Sequence, residues 1–306
     1  MTARDDARAQ TPDPPLPSRE ELVAVVREAA QRVRDMRGRS LRSRPKGDRG
    51  DLVTEADEAS ERLLARRLRE LGPPARILSE EAREIDAAGG AGADVGAAAR
   101  PRQEIGRWEW VVDPLDGTVN YAGGRPWYGV SVALRERGGG GAPGSSGTPL
   151  AATCWPEQGR TLSLADGGAL DHLTDEPPRV SGREALRGAA VSVVAAPYLD
   201  SDILRRTSRL VGLLLEAGAG LRIIGCGSFE LGLVATGRMD GFVHLARDLF
   251  STAAMLPIVE AAGGRVTGTD GELTRAERPG IVATNGRIHD ELLELVGSVG
   301  AAPGDA

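Results

Sequence analysis

The sequence predicts a mixed α/β protein in which helices and sheets are stacked in layers. The first reason is that helical and strand-like segments alternate along most of the 306 residues. The second is that this order of elements, most regular after Pro178, favours layered helices and sheets over a Rossmann sheet. The predicted elements of this half are strands at 189–195, 221–224 and 241–244, and helices at 202–215, from Ser228, from Ser251 and near 290–296.

Two helices are predicted in the N-terminal half. The first begins at Ser18, where Glu21 completes a capping box, and the second begins at Thr54, with Asp57 in the matching third position. Apolar runs predict strands at 76–78, 110–113 and 128–134. The segments 87–102 and 138–147 are rich in Gly and Ala and lack a periodic pattern, so we predict surface loops there.

The predicted domain organisation follows these elements. Residues 1–17 contain four prolines and are expected to form a disordered tail. An N-terminal domain is predicted at 18–180 and a C-terminal domain at 181–298, followed by a short tail at 299–306. A hydrophobic content of 41% is ordinary for a globular protein with a core of this size.

Composition also argues against several classes of protein. The net charge is -6 with no offsetting basic stripe, which argues against a nucleic-acid-binding protein. No apolar run approaches the roughly 20 residues needed to span a bilayer, and the N-terminus lacks a signal peptide. We therefore expect a cytoplasmic protein with no membrane or nucleic-acid partner. Cys154 and Cys226 are expected to be buried thiols.

The most informative motif is the run from Trp110 to Thr118, which contains Asp113 and Asp116. Pro114 and Gly117 predict a tight turn at the end of a strand, and such a turn can direct both carboxylates into one space. Hard oxygen ligands of this kind suit Mg²⁺. Taken alone, the motif is equally consistent with a solvated, aspartate-rich turn.

Two other acidic segments allow both a functional and a structural interpretation. Glu80 and Glu81 follow the strand at 76–78, where they either bind a cation or form a solvated strand end. Thr54 and Asp57 either serve the same site or simply cap the second helix.

The order of these motifs resembles the signature of the inositol monophosphatase superfamily, from about Lys46 to about Val296. The motifs that carry the resemblance are Asp51-Leu-Val-Thr54-Glu-Ala-Asp57, Glu80-Glu81, the run from Trp110 to Thr118, the run from Gly225 to Gly241, Glu260-Ala-Ala-Gly263-Gly264, and the run from Ala283 to His289.

The resemblance implies a layered αβαβα fold and a Mg²⁺-dependent, Li⁺-sensitive phosphatase that acts on a small phosphorylated substrate, commonly as a homodimer. Carried over by position, Glu80, Asp113 and the Leu115 carbonyl would hold a first Mg²⁺. Asp113 would bridge to a second Mg²⁺, which Asp116 also binds. The resemblance further implies that Thr118 and Glu80 would orient the attacking water and that Asp57 would support Thr118. It also implies that the amides of Gly117 and Thr118 would bind phosphate oxygens, and that Gly225 and Glu230 would contact the substrate.

One position departs from the family pattern. The family carries a metal-binding aspartate in a Trp-Asp-x-Ala-Ala motif, and an ungapped alignment places Ser251 there. Serine caps a helix as well as aspartate does, but it is a far weaker metal ligand. Asp248 could substitute only if the loop is shifted.

Three functions stay open on this basis. The first is a phosphatase with a weakened second metal site. The second is an enzyme with altered chemistry on a phosphorylated molecule, such as phosphate elimination or cyclisation. The third is a non-catalytic regulator that binds metal or phosphate. The substrate is also open, because only Pro257 and its neighbours resemble the histidinol-phosphate phosphatase branch, while inositol and sugar phosphates fit the rest.

Overall fold

A computed structural model of the chain describes residues 15–38, 43–45, 52–73, 75–81, 107–137, 147–197, 199–246, 248–272 and 280–300. Several predictions lie outside these residues: most of the tail at 1–17, the loop at 87–102, all but Gly147 of the loop at 138–147, most of the tail at 299–306, and the motif residue Asp51.

The described helices are α1 (Arg19–Met36), α2 (Glu55–Leu71), α3 (Thr118–Ala122), α4 (Ser201–Glu216), α5 (Gly227–Ala235), α6 (Met255–Ala261) and α7 (His289–Ser298). The described strands are β1 (Ser43–Pro45), β2 (Leu52–Thr54), β3 (Arg76–Ser79), β4 (Trp108–Asp116), β5 (Gly129–Glu136), β6 (Leu150–Trp155), β7 (Arg160–Ala165), β8 (Gly168–Asp171), β9 (Ala190–Val193), β10 (Gly220–Arg222), β11 (Gly241–His244), β12 (Arg265–Thr267) and β13 (Ile281–Thr284).

Two sheets organise the molecule. The first has the order β3-β4-β5-β6-β7-β8, with β3 parallel to β4 and the other neighbours antiparallel. The second has the order β10-β9-β11-β13-β12, in which β9 is parallel to both β10 and β11.

Helices cover both faces of each sheet. Side chains of α1 and α2 pack against one face of the first sheet, through residues such as Val130 and Val132 of β5. Ala133, on the opposite face, packs with α5 and α6, which also contact Phe242 of the second sheet. The other face of the second sheet packs against α4 and α7. The alternation of strand side chains thus produces five layers, α/β/α/β/α, and the predicted fold is confirmed.

The sequence predicted several element boundaries and missed others. Both capping boxes are present, at Ser18 with Glu21 and at Thr54 with Asp57. The helix expected from Ser251 begins only at Met255, because the intervening residues form turns. The sequence predicted neither helix α3 nor strands β1, β2, β6, β7, β8, β12 and β13. The division of the chain at 180/181 stays a prediction.

Candidate active site

The candidate site begins where β4 ends. The antiparallel pairing of β4 with β5 is irregular between Asp113 and Asp116, so the chain turns there instead of continuing the ladder. Gly117 follows with a φ of 81°, and a Cβ at this position would lie 2.6 Å from the Trp127 carbonyl oxygen. Only glycine therefore fits this turn, which places both carboxylates at one end of the first sheet.

Asp113 is the most unusual of these groups because its side chain has no exposed surface. Its Oδ1 accepts a hydrogen bond from the Leu115 amide at 3.2 Å, whereas its Oδ2 has no hydrogen-bond partner among the described residues. Burial raises the pKa of Asp113 well above its usual range, and the nearby carboxylates of Glu80, Asp116 and Asp248 raise it further. A buried carboxylate oxygen without a donor is suited to a cation.

Glu80 reaches this cluster through strand pairing. Ser79, the last residue of β3, is in register with Val112, and the Glu80 amide donates to the Val112 carbonyl at 3.2 Å. Because β3 and β4 run parallel, Glu80 and Asp113 leave the sheet side by side. The predicted convergence of the two segments is therefore present in the structure.

Asp57 combines the structural and functional interpretations. One of its oxygens accepts hydrogen bonds from the Thr54 amide at 2.8 Å and the Thr54 hydroxyl at 2.5 Å, which caps α2. The other lies 2.9 Å from the Thr118 hydroxyl, which is also 2.9 Å from the Leu115 carbonyl oxygen. Burial raises the pKa of Asp57, against the effect of its hydrogen bonds from Thr54 and Thr118. A hydroxyl that donates its single hydrogen to Asp57 keeps lone pairs that can orient a water molecule.

Asp116 is held by the start of α5. Its Oδ2 accepts hydrogen bonds from the Ser228 amide at 2.7 Å and the Cys226 thiol at 3.1 Å. Burial and the adjacent Asp116 carboxylate raise the pKa of Cys226 well above its usual range, so the thiol stays protonated and donates. These contacts, which the sequence did not reveal, connect the end of β4 to α5.

The substrate-side residues Gly225 and Glu230 lie beside this connection. Glu230 has no exposed surface, and its carboxylate accepts hydrogen bonds from the Ile224 and Cys226 amides at 3.1 and 3.2 Å and from the Ser192 hydroxyl. Burial raises its pKa to about 7 despite these bonds. The structure thus places Glu230 as a support for the loop around Gly225, and its predicted contact with substrate stays a prediction.

Ser251 and Asp248 lie together at the edge of the carboxylate cluster. The Ser251 amide donates to Asp248 Oδ1 at 3.2 Å. The Ser251 side chain lies close enough to Asp113 to oppose the rise in the pKa of that carboxyl. Burial raises the pKa of Asp248 to about 7, with further contributions from Asp116 and Glu80. The sequence alone could suggest Asp248 only as an alternative ligand, because sequence spacing does not show how this loop turns.

These carboxylates converge without already forming a ligand set. In the part of the chain that the structure describes, no three His, Cys, Asp or Glu side chains have the arrangement of a metal site. The Asp116 carboxylate is turned towards the donors at the start of α5. The donor types and the unpartnered Asp113 Oδ2 nevertheless fit a hard divalent cation.

The sequence matches the model of the inositol monophosphatase family over residues 17–301. The chain belongs to this family. The inositol-1-monophosphatase of Rhizobium meliloti is 31% identical over 248 residues, which cover 80% of this chain and 83% of that protein. A putative Nus factor SuhB of Neisseria meningitidis serogroup B is 31% identical over 246 residues, covering 80% and 84% respectively.

The structural comparison agrees with membership of the inositol monophosphatase family. The IMPase structure from Thermotoga maritima superposes with a TM-score of 0.74 at 26% identity, covering 92% of this chain and 96% of that one. The described helices include none long and apolar enough to cross a membrane.

Proposed function

We propose that this member of the inositol monophosphatase family hydrolyses a small phosphate monoester with the help of divalent cations. The observation that carries the proposal is the buried Asp113 carboxylate, whose Oδ2 has no donor among the described residues and which three other carboxylates surround. Glu80, Asp113, the Leu115 carbonyl and Asp116 would hold the cations, with Mg²⁺ the expected ion. The chemistry that cations supply in such a cluster is neutralisation of the attacking and leaving oxygens, together with hydroxide near neutral pH.

The protein's own contribution is to position water and phosphate. Thr118 donates to Asp57, and its remaining lone pairs together with Glu80 would align the attacking water. The amides of Gly117 and Thr118, at the sharp turn after β4, would bind phosphate oxygens. None of these roles requires a nucleophilic side chain, and the Cys226 thiol is occupied as a donor to Asp116.

The substrate is proposed only as a class. The relative named inositol-1-monophosphatase supports a phosphorylated polyol, while histidinol phosphate and sugar phosphates stay in the test panel. A cytoplasmic homodimer is likewise a proposal.

Phosphate release from such a panel tests the function. Purified protein should release phosphate with Mg²⁺ and stop in the presence of a chelator. Asp113→Asn should lower the rate by roughly a hundredfold or more, the typical cost of losing a preorganised electrostatic contact. Asp166→Asn, an exposed change in a turn that asparagine tolerates, should leave the rate unaltered.

Two alternatives have their own outcomes in this experiment. A cyclised product that retains its phosphate, or a product formed by phosphate elimination, would indicate altered chemistry. The serine at position 251 is compatible with such a change. Binding of cation and phosphate ester without any turnover would indicate a regulator, a role compatible with the relative named as a putative Nus factor.

A further inference from the structure

Trp155, the last residue of β6, fills the space between the first sheet and α5. Its side chain is buried and packs with the apolar residues of α5 and α6. A Cβ at Gly129, where β5 begins, would lie 2.5 Å from Trp155 Cδ1, and a Cβ at Gly232 in α5 would overlap Trp155 Cη2. Two glycines therefore leave room for the indole, and close packing against β5 and α5 fixes the position of the ring.

The indole nitrogen of Trp155 adds a directional contact to this packing. Trp155 Nε1 donates a hydrogen bond to the Ser228 hydroxyl at 3.2 Å, and Ser228 has no exposed surface. Because both groups are shielded from water, each would lose its hydrogen-bond partner if the ring or the helix moved. The first turn of α5 is thus fixed relative to the end of β6.

Both contacts of the Trp155 ring lead to Asp116. The Ser228 amide donates to Asp116 Oδ2 at 2.7 Å. Gly129, at the other edge of the indole, is the residue of β5 that pairs with Asp116 across the irregular end of the β4 ladder. Trp155 therefore contacts the strand residue opposite Asp116 and the helix residue that holds its carboxylate.

We propose that Trp155 is a positioning residue for Asp116. By fixing the separation of β5 and α5, the ring keeps Oδ2 of Asp116 on the Ser228 amide, so that the other carboxylate oxygen is presented in one orientation. Trp155 acts through Ser228 and Gly129 and is not itself a ligand. The inference rests on the proposed function, because the orientation of Asp116 affects turnover only if this carboxylate helps to hold the cations.

Nuclear magnetic resonance of the full chain, with ¹⁵N-labelled tryptophan and no added cation, tests the connection. The chain has four tryptophans, so single Trp→Phe substitutions assign the indole N–H resonances. Asp116→Asn should shift the Trp155 resonance, because the lost charge is transmitted through Ser228. The Trp110 resonance is the matched control and should stay in place, since Trp110 is equally buried but packs with α1 and α2 on the opposite face of the sheet.

The dependence of phosphate release on Mg²⁺ supplies a second measurement. Trp155→Phe keeps an aromatic ring but removes the N–H donor. It should raise the Mg²⁺ concentration for half-maximal rate by roughly tenfold, the lower end of the effect of removing a group that orients a metal ligand. The KM for the phosphate ester at saturating Mg²⁺ should change much less. Trp110→Phe makes the same truncation in a buried ring, so it should lower Tm without altering the Mg²⁺ requirement.

Ser228→Ala separates the hydrogen bond from the packing of the ring. This variant keeps the amide that holds Asp116 but removes the acceptor of the indole N–H. It should raise the Mg²⁺ requirement in the same direction as Trp155→Phe. The double variant should require little more Mg²⁺ than Trp155→Phe alone, because both substitutions break one contact.

An unchanged Mg²⁺ requirement in Ser228→Ala would overturn the inference even if Trp155→Phe failed to fold. A Trp155 resonance that does not respond to Asp116→Asn would also overturn it, as would a Mg²⁺ requirement raised equally by Trp110→Phe. In each of these cases, Mg²⁺-dependent phosphate release that requires Asp113 would leave the proposed function standing. Absence of phosphate release from the unaltered protein would overturn both.

Discussion

Replacing Asp113 with asparagine should make the cation-free protein more stable while removing its response to cations. The carboxylate is fully buried, one oxygen has no donor among the described residues, and three other carboxylates lie near enough to raise its pKa. Asparagine has nearly the same shape as aspartate but no charge, so the repulsion from the neighbouring carboxylates disappears. Its amide group can also donate a hydrogen bond to one of those carboxylates. The Leu115 amide can still donate to the remaining oxygen.

The expected gain is about 1–3 kcal/mol, the usual cost of an unsatisfied buried polar group. For a chain of this size 1 kcal/mol shifts Tm by about 2–4 °C, so the melting temperature in chelator should rise by roughly 2–12 °C. In the unaltered protein, saturating Mg²⁺ should raise Tm because a ligand that binds only the folded state stabilises it. In Asp113→Asn that rise should largely disappear.

Calorimetry or dye-based melting of both proteins, in chelator and in Mg²⁺, measures these effects. Asp166→Asn should change the free energy of unfolding by no more than about 0.5 kcal/mol, as most surface substitutions do, and should therefore leave Tm nearly unaltered. A lower Tm for Asp113→Asn in chelator, together with an intact Mg²⁺ response, would refute the view that Asp113 is a preformed cation ligand.

Three further predictions concern neighbouring positions. Ser251→Asp should tighten cation binding without loss of the fold, because it adds an anionic oxygen next to Asp113. Calorimetric titration measures the affinity, and an unchanged value would mean that this side chain does not face the cation. Gly117→Ala should destabilise the protein by about 1–3 kcal/mol in denaturant unfolding, since φ is 81° and the Trp127 carbonyl blocks the new Cβ; an equal midpoint would contradict the turn. Glu230 has a folded-state pKa raised from 4.5 to about 7, so folding retains a proton that the unfolded chain releases, and stability should fall as pH rises from about 4.5 to 7. Glu230→Gln should reduce that slope, to which the raised pKa of Asp248 also contributes, and an identical pH profile would show that Glu230 is ionised throughout.

Much of the fold followed from local patterns. The capping boxes at Ser18 and Thr54 predicted where two long helices begin, because the groups that satisfy a helix start lie within three residues of one another. Strands such as β11 were visible as apolar runs. Strands β7, β8, β12 and β13 escaped prediction because their stability comes from pairing and burial between layers, which no short window contains.

The sequence by itself determined the family and the acidic motifs of the site, since these depend on residue type and order along the chain. The sequence could not decide whether Asp57 caps α2 or serves the site. In the structure one oxygen of the Asp57 carboxylate accepts the capping hydrogen bond from the Thr54 amide, and the other contacts the Thr118 hydroxyl. Nor could the sequence place Asp248, whose Oδ2 lies 3.8 Å from the position of a Cβ on Gly227 at the start of α5. Those arrangements depend on contacts between segments distant in sequence, and only the packing of two sheets around shared helices creates them.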